Sequence, residues 1–423
     1  MVSRRKVLLG SAGLVGLAAI SRPADRGGSY TDYFSQMNSA LRSNGIDTPV
    51  LVIDLDILDR NIDRVVQSTS SSPTKNYRVV TKSIPSPNLV EYVSARAKTN
   101  SQMIFHRPFL QAMTDKDPGT NVLIGKPMPI AAATKFYAEH NSSFNPAEQL
   151  QWLIDSNARL QQYLKLAVNK GLKLKINLEL DVGLRRGGFE AGPDLASALA
   201  LIQENPTHLT FSGFMGYDAH LMGIPEFLVD GELAKAKQRY RECQQLLREK
   251  FPRLVSDSLC FNGAGSPTFR HYEGDDLLTE VSVGSALMMP THYDLPILSD
   301  FEPSCFIASP VLKRLPSVRL PGFEWSETAI KAWDKNQAQM YFCYSGNWLA
   351  EVESPPGLSP HFAYVSSNQS GYSASESVDI DVDDFVFLRP TQSEAVLLQF
   401  GDLVMMRGQT IVDRWPVIPA TAS

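Results

Sequence analysis

The sequence lacks most features that would assign it quickly. It has four cysteines, Cys243, Cys260, Cys305 and Cys343, and no C-x-x-C pair, so neither a zinc ribbon nor a dense disulfide framework is expected. Buried free thiols are the plain reading. It lacks an excess of positive charge. The 40 basic residues face 45 acidic ones for a net charge of −5, without the basic stripe that nucleic-acid binding needs. No G-x-G-x-x-G follows the first candidate strand, which leaves a dinucleotide-binding open sheet without support. The apolar run over residues 7–21 is shorter than the roughly 20 residues a membrane helix needs, so no stable membrane span is expected. There is no internal repeat, and the serine-rich patches at 68–72 and 366–377 are short enough to be loops.

What is present is a chain of 423 residues, 43% of them apolar, enough for one large α/β domain and a smaller one. The N-terminal "SRRKVLLGSAGLVGLAAIS" sets Arg4 and Arg5 before a run in which Gly10, Gly13 and Gly16 would weaken a packed helix. Residues 1–28 resemble a twin-arginine export segment, with Ala19-Ile20-Ser21 as a loose small-x-small cleavage site. The resemblance implies a periplasmic or cell-envelope protein. In that oxidising compartment a pairing such as Cys243 with Cys260 stays open.

From residue 48 onward, short β-rich runs alternate with segments of helical period, as in parallel strands joined by crossover helices. The runs are "VLVID", "RVVT", "QMIF", "NVLIG", "QWLID", "LKLKINLEL", "LTFSGF", "SLCFN" and "TEVSVG". About eight β/α units predict a (β/α)₈ barrel over residues 29–300, with a doubly wound open sheet as the competing arrangement. Beyond residue 300 the helical period stops, and "AQMYFCYSG", "HFAYVSS", "DFVFLRP" and "AVLLQFGDLVMMRGQTIVDRWPV" predict an antiparallel β domain over 301–423. Arg407-Gly408 marks a hairpin turn.

A barrel carries its reacting groups where strands end. At such ends stand Lys82, then Asp181, Gly183 and Arg186 in "ELDVGLRRGGF", Tyr217 and His220 in "YDAH", and the small-residue turn "NGAGSPT". Singly each has a bland explanation: a solvated lysine, a turn glycine, a hydrogen-bonded histidine. Together they provide an amine, a turn whose N–H groups fit a phosphate, an imidazole and a guanidinium. An amine at a barrel mouth forms a Schiff base when its pKa is depressed, so the set points to pyridoxal phosphate.

"TPVLVIDLDILDRNIDRV" resembles the opening of the barrel-type pyridoxal-phosphate enzymes, the alanine racemase class. The chain is most similar to the branch of D-threonine aldolases and eukaryotic-type D-serine dehydratases. The similarity runs in order over residues 48–417. On it, "RVVTKS" makes Lys82 the Schiff-base lysine and retains Arg78 as a cofactor contact. "ELDVGLRRGGF" sets Arg186 near the ring hydroxyl or a neighbouring carboxylate, and "YDAH" sets His220 against the ring with Tyr217 nearby. "NGAGSPTF" offers Gly263, Ala264, Gly265 and Ser266 to the phosphate, and "TEVSVGSALMMPTHYD" adds Ser285 to the cofactor contacts. The resemblance also implies a homodimer. The β domain would then cover the mouth, with Tyr293 and the Asn368-Gln369 loop as candidates.

Two departures bear on the reaction. The branch carries histidines two residues before and after the lysine, where this chain has Val80 and Ile84. Its metal-binding Pro-x-His-x-Cys or Pro-x-His-x-Asp segment is here "RPTQSEAVLLQF", with Gln392 and Glu394 at the ligand positions. An amide and a carboxylate suit a hard cation rather than zinc, and weak binding of such an ion or loss of the metal both stay open. The expectation is a lyase that acts on a small D-amino acid by aldolase-type cleavage of a β-hydroxy substrate. D-serine dehydration, racemisation, or cofactor binding without catalysis are the alternatives.

Overall fold

The computed structural model describes residues 22–72 and 75–418. The twin-arginine-type run of residues 7–21 lies outside them. The chain divides into two units. One comprises Ile53–Cys305, Gln392–Leu403 and the residues after 413; the other comprises the residues up to Val52 with Phe306–Thr391 and Val404–Asp413. No helix among the described residues is long and apolar enough to cross a membrane.

The larger unit is built on a closed barrel. After β1 (Val50–Asp54) come β2 (Asn76–Val80), β3 (Ser101–Ile104), β4 (Asn121–Ile124), β5 (Leu150–Ile154), β6 (Leu174–Leu180), β7 (Leu209–Gly216), β8 (Cys260–Gly263) and β9 (Glu280–Val283). Strands β2 to β9 pair in parallel and in chain order, and β2 returns to β9 with Arg78 opposite Ser282 and Val79 opposite Val283. The (β/α)₈ barrel expected from the sequence is therefore observed, and the open sheet is not. Helices between the strands begin at recognisable signals. Asp54 accepts the N–H groups of Asp56 and Ile57 to start the helix Leu55–Thr69, whose Leu55, Leu58, Ile62 and Val65 form one buried face. Pro87 and Pro193 open Pro87–Ala97 and Pro193–Glu204, where the missing N–H has no helical partner to lose.

One strand departs from expectation. "VLVID", the first of nine β-rich runs competing for eight barrel places, is β1 and lies in the other sheet, between β10 (Cys305–Leu315) and β16 (Asp402–Arg407). Four of its five residues are buried, which either sheet would satisfy, so hydrophobic pattern could not assign it.

In that sheet β10 pairs antiparallel with β11 (Gln339–Tyr344) and with β15 (Phe385–Pro390). Strand β12 (Ala350–Ser354) joins β15, and β14 (Gln369–Ala374) pairs β11 on one side and β13 (Ser359–Pro360) on the other. Strand β16 turns at Gly408, with φ of +56°, into β17 (Thr410–Pro416), the hairpin expected at Arg407-Gly408. The core joins Phe34, Met37 and Leu41 of the helix Asp32–Ser43 to Phe306, Phe385, Phe387 and Val404. Residues 24–28 are fastened to this unit, where Asn336 donates to the Ala24 carbonyl and Gly28 N–H to that of Pro356.

All four cysteines are free, and the open Cys243–Cys260 pairing does not form. Burial pushes the Cys243 thiol up to about 12, which leaves it protonated and inert.

Arg78, expected at the cofactor, serves the barrel interior instead. It is buried and forms an ion pair with Glu280 of β9, while its Nη1 donates to the carbonyls of Gln102 and Asn121 at 2.9 and 2.8 Å. Asn262 Nδ2 donates to the same Glu280 at 2.7 Å. Arg78 lies four residues before Lys82 on a strand rising ~3.3 Å per residue, and so sits toward the opposite end of the barrel.

Replacing Arg78 with Ala would leave Glu280 buried without its cation, so unfolding free energy is expected to fall by about 3–5 kcal/mol. Urea denaturation followed by tryptophan fluorescence measures this. A loss below about 1 kcal/mol, the range of an exposed pair, would contradict the structural role.

Candidate active site

Where β2 ends, a 3₁₀ turn over Thr81–Ser83 carries Lys82 out of the barrel. Thr81 Oγ1 donates to the Met103 carbonyl at 3.0 Å and Ile84 N–H to that of Thr81 at 3.1 Å, which fixes the turn and the direction of the lysine. Its ammonium lies 3.0 Å from Glu394 Oε1 and 5.2 Å from the centre of the Phe105 ring. Around it opens a cavity of about 790 Å³, room for a cofactor and a small substrate together.

Glu394 stands on the short helix Ser393–Val396 and is held from several sides. Ser83 Oγ donates to Oε1 at 2.9 Å and Ser285 Oγ at 3.3 Å, while Ser393 Oγ donates to Oε2 at 3.3 Å. Burial raises its pKa, but the adjacent Lys82 charge and these hydrogen bonds outweigh burial, and the carboxyl titrates below its ordinary value. Glu394 therefore faces Lys82 as a carboxylate. Gln392 faces the cavity and reaches His292 at 3.3 Å. No three His, Cys, Asp or Glu side chains converge to hold a metal among the described residues. The donor set at Gln392 and Glu394 does not fit the metal site that the sequence resemblance implies, and no step below runs through a metal.

The small-residue turn after β8 faces the same cavity. Gly265 N–H donates to Thr268 Oγ1 at 3.1 Å, so this amide, expected at the phosphate, is already satisfied. Ser266 Oγ accepts from Gly284 and Ala286 N–H at 3.3 and 2.9 Å, which leaves its own proton free to donate. The N–H groups of Ser266 and Ser285 have no protein acceptor among the described residues. These two amides and the Ser266 hydroxyl form an anion cradle with tight walls. A Cβ at Gly265 would stand 2.6 Å from the Tyr217 ring, and one at Gly284 2.8 Å from Val80. Gly263 does not line the cavity; it packs against Leu278. Ala264 does line it.

Beneath the turn lies Asp218, fully buried. It accepts Thr268 Oγ1 at 2.6 Å and the Tyr272 hydroxyl at 2.8 Å, thereby aiming the Thr268 lone pairs at Gly265. Burial lifts its pKa above the ordinary aspartate value despite those two donors.

On the far wall, the Arg186 guanidinium lies 5.6 Å from the Tyr217 ring centre, and both line the cavity. Glu179 titrates above its usual value because burial outweighs the attraction of Arg186. His220, expected against a cofactor ring, is absent from the cavity lining. Its imidazole lies against Gly183, and both ring nitrogens are buried without a hydrogen-bond partner among the described residues. Tyr217 occupies the cavity wall instead. Asp181 and Gly183 serve the local turn, Asp181 Oδ1 accepting the Gly183 N–H at 2.9 Å. Tyr293 lines the cavity as expected, and Ser285 does so too.

Several lining residues were missed in the sequence: Ser83, Phe105, His106, Lys126, Asp155 and Glu179. Five of them follow β2, β3, β4 or β5 directly, so strand ends taken in turn would have found them.

An eight-stranded parallel barrel with a reactive amine and an anion cradle at its mouth defines the class, a barrel enzyme built for a phosphorylated carbonyl cofactor. The chain belongs to the family described as alanine racemase, N-terminal domain, which it matches over residues 53–292, more than half its length. Members of this family use pyridoxal phosphate. No curated protein matches the chain. Among solved structures it is similar to D-threonine aldolase from Filomicrobium marinum, with 18% identity and a TM-score of 0.70 over 88% of this chain and 95% of that one. It is similar also to D-threo-3-hydroxyaspartate dehydratase from Delftia sp. HT23, with 15% identity and a TM-score of 0.69 over 89% and 99%. Alanine racemase from Clostridium difficile 630 follows at 14% identity and a TM-score of 0.64 over 87% and 98%. At these identities the likeness is one of fold. The residues in the cavity fit the cofactor: an amine at Lys82, free donors at Ser266 and Ser285, and an aromatic wall at Tyr217.

Asp218→Asn turns an N–H₂ donor toward one of the two hydroxyls that now donate to the carboxylate. Pyridoxal-phosphate affinity is expected to fall about tenfold, the effect of one charged hydrogen bond, with the far-UV spectrum unchanged. Absorbance titration checks this, and wild-type affinity would mean that the turn holds itself.

Proposed function

We propose that the protein is a pyridoxal-phosphate-dependent lyase of D-amino acids that cleaves a D-β-hydroxy amino acid into glycine and an aldehyde. The observation that carries this reading is the Lys82–Glu394 pair, 3.0 Å apart in the mouth of a closed parallel barrel and beside the Ser266–Ser285 cradle. The fold shared with a D-threonine aldolase supports it. The reading includes the homodimer and the export implied by the sequence.

Lys82 would hold the cofactor and the Ser266 and Ser285 donors its phosphate, with Tyr217 and Arg186 bounding the ring. When bound, the cofactor supplies an electron sink for the pair left at Cα. The chain must supply proton transfers. Lys82 has to lose a proton before its nitrogen can bond to a carbonyl carbon, and Glu394 Oε1 is within hydrogen-bond distance to accept it. In cleavage the β-hydroxyl proton passes to a base, the Cα–Cβ bond breaks to release the aldehyde, and a proton returns to Cα to give glycine. Lys82 and Glu394 would be the acceptors on that side. Val80 and Ile84, which stand where relatives carry histidine, offer none.

Incubation with D-threonine, D-serine and D-alanine, with divalent metal or chelator, separates the readings by product. Glycine with acetaldehyde from D-threonine is expected, and Lys82→Ala should abolish the visible absorption and lower turnover at least about a thousandfold. Keto acid alone would mean dehydration, the L-enantiomer alone racemisation, and bound cofactor with no product a lost activity. For export, replacing Arg4 and Arg5 with Lys is expected to hold the protein in the cytoplasmic fraction, and unchanged fractionation would remove that part.

A further inference from the structure

The charges in the cavity can be counted off against one another. Lys82 is matched by Glu394, and Arg186 acts on the Glu179 carboxyl with Asp155 alongside. Of the basic groups on the lining Lys126 and His106 remain, with Asp155 the carboxylate left over. Lys126 makes no ion pair among the described residues, although acidic side chains line the same cavity. His106 stacks on Phe109, ring centres 4.4 Å apart.

Their position relative to Lys82 is defined by one wall. The Lys82 ammonium lies over Phe105, the residue before His106. Phe105 in turn packs on Gly125, the residue before Lys126, so closely that a Cβ there would come within 2.5 Å of the Phe105 ring. The barrel order places the anion cradle after β8 and β9, Lys82 after β2, His106 after β3 and Lys126 after β4. Lys126 and His106 therefore flank Lys82 on the side away from the cradle.

We propose that Lys126 and His106 form the subsite for the carboxylate of the amino-acid substrate. This rests on the reading of the cavity as a pyridoxal-phosphate site for amino acids. An amino acid joined through its nitrogen beside Lys82 brings a negative charge into a partly enclosed cavity, and that charge needs a cationic donor within hydrogen-bond reach. The phosphate cradle cannot serve, because the cofactor occupies it. Glu394, Glu179 and Asp155 would repel it. Lys126 supplies the charge, and His106, whose ring is kept largely neutral by burial and by the Lys126 charge, supplies a directed N–H. With the carboxylate held on the β3–β4 wall, the substrate is fixed at two points, its nitrogen and its carboxylate, and the third substituent of Cα is turned toward Lys82 or away from it according to configuration. The subsite thus selects for amino acids over simple amines.

The test uses the holoenzyme and titrates its visible spectrum with D-threonine and with 1-aminopropan-2-ol, the same amine without the carboxylate. In Lys126→Gln, affinity for D-threonine is expected to fall at least about tenfold, and in His106→Gln severalfold, with affinity for the amino alcohol unchanged. Lys126→Arg should restore most of the loss. Equal weakening of both ligands, or no change in either, would overturn the subsite while leaving the cofactor site intact. A drop in affinity for pyridoxal phosphate itself in Lys126→Gln would overturn it by assigning the lysine to the cofactor. A wild-type protein that takes up no cofactor would overturn the function and the subsite together. Thermal unfolding of each variant excludes loss of the fold as the cause.

Discussion

The pairing of β2 with β9 is the contact on which the rest depends. It closes the barrel, and it makes neighbours of two chain segments about 200 residues apart, one ending in Lys82 and Ser83, the other in Gly284 and Ser285. Ser83 and Ser285 meet hydroxyl to hydroxyl at 2.9 Å, and both reach Glu394. Along the same seam, Arg78 and Glu280 form the buried ion pair of the barrel interior. A parallel pair at the closing seam gains nothing from local chain connectivity, so burial and this ion pair must hold it. The reactive end and the structural end of the site are thus two consequences of one register. A slip of one residue would turn Arg78 and the strand's apolar set to the wrong face and displace Lys82.

That register also explains what was legible in the sequence. Each barrel strand is a short β-branched run followed by a helix with a start signal, and such local features carry their own evidence. Lys82, Tyr217 and Ser266 were legible because they stand within three residues of the end of such a run, Arg186 lies six beyond one, and Ser285 came only with the sequence resemblance. Membership of β1 in one sheet or the other depends on a partner far along the chain, and its burial pattern is the same in both. Arg78 was misassigned for a related reason. Four residues from a reactive lysine is close in sequence, yet along an extended strand it spans most of the barrel height.

Tyr217 and His220 illustrate a finer limit. Both lie in "YDAH", and the sequence resemblance put the imidazole on the ring. Three residues further, however, the chain has entered the 3₁₀ turn Ala219–Gly223, which carries His220 toward Gly183 and leaves Tyr217 facing the cavity. The buried Asp218 between them is what fixes this division, since it ties the segment to Thr268 and Tyr272 beneath the phosphate turn. A motif that looks like two catalytic residues and a spacer is, in this fold, one wall residue and one anchor.

The apolar neighbours of Lys82 then take on a definite meaning. Val80 lines the cavity and packs against Gly284, while Ile84 is fully buried beyond the turn. Neither side chain can give or take a proton. The carboxylate paired with Lys82 is Glu394, carried by the segment Gln392–Leu403, which belongs to the barrel unit although about 100 residues separate it from the helix Ser285–Met288 that follows the last barrel strand. A lysine flanked by apolar groups is steadied by a counter-charge, and the Glu394 carboxylate supplies it at 3.0 Å while it accepts from the serines.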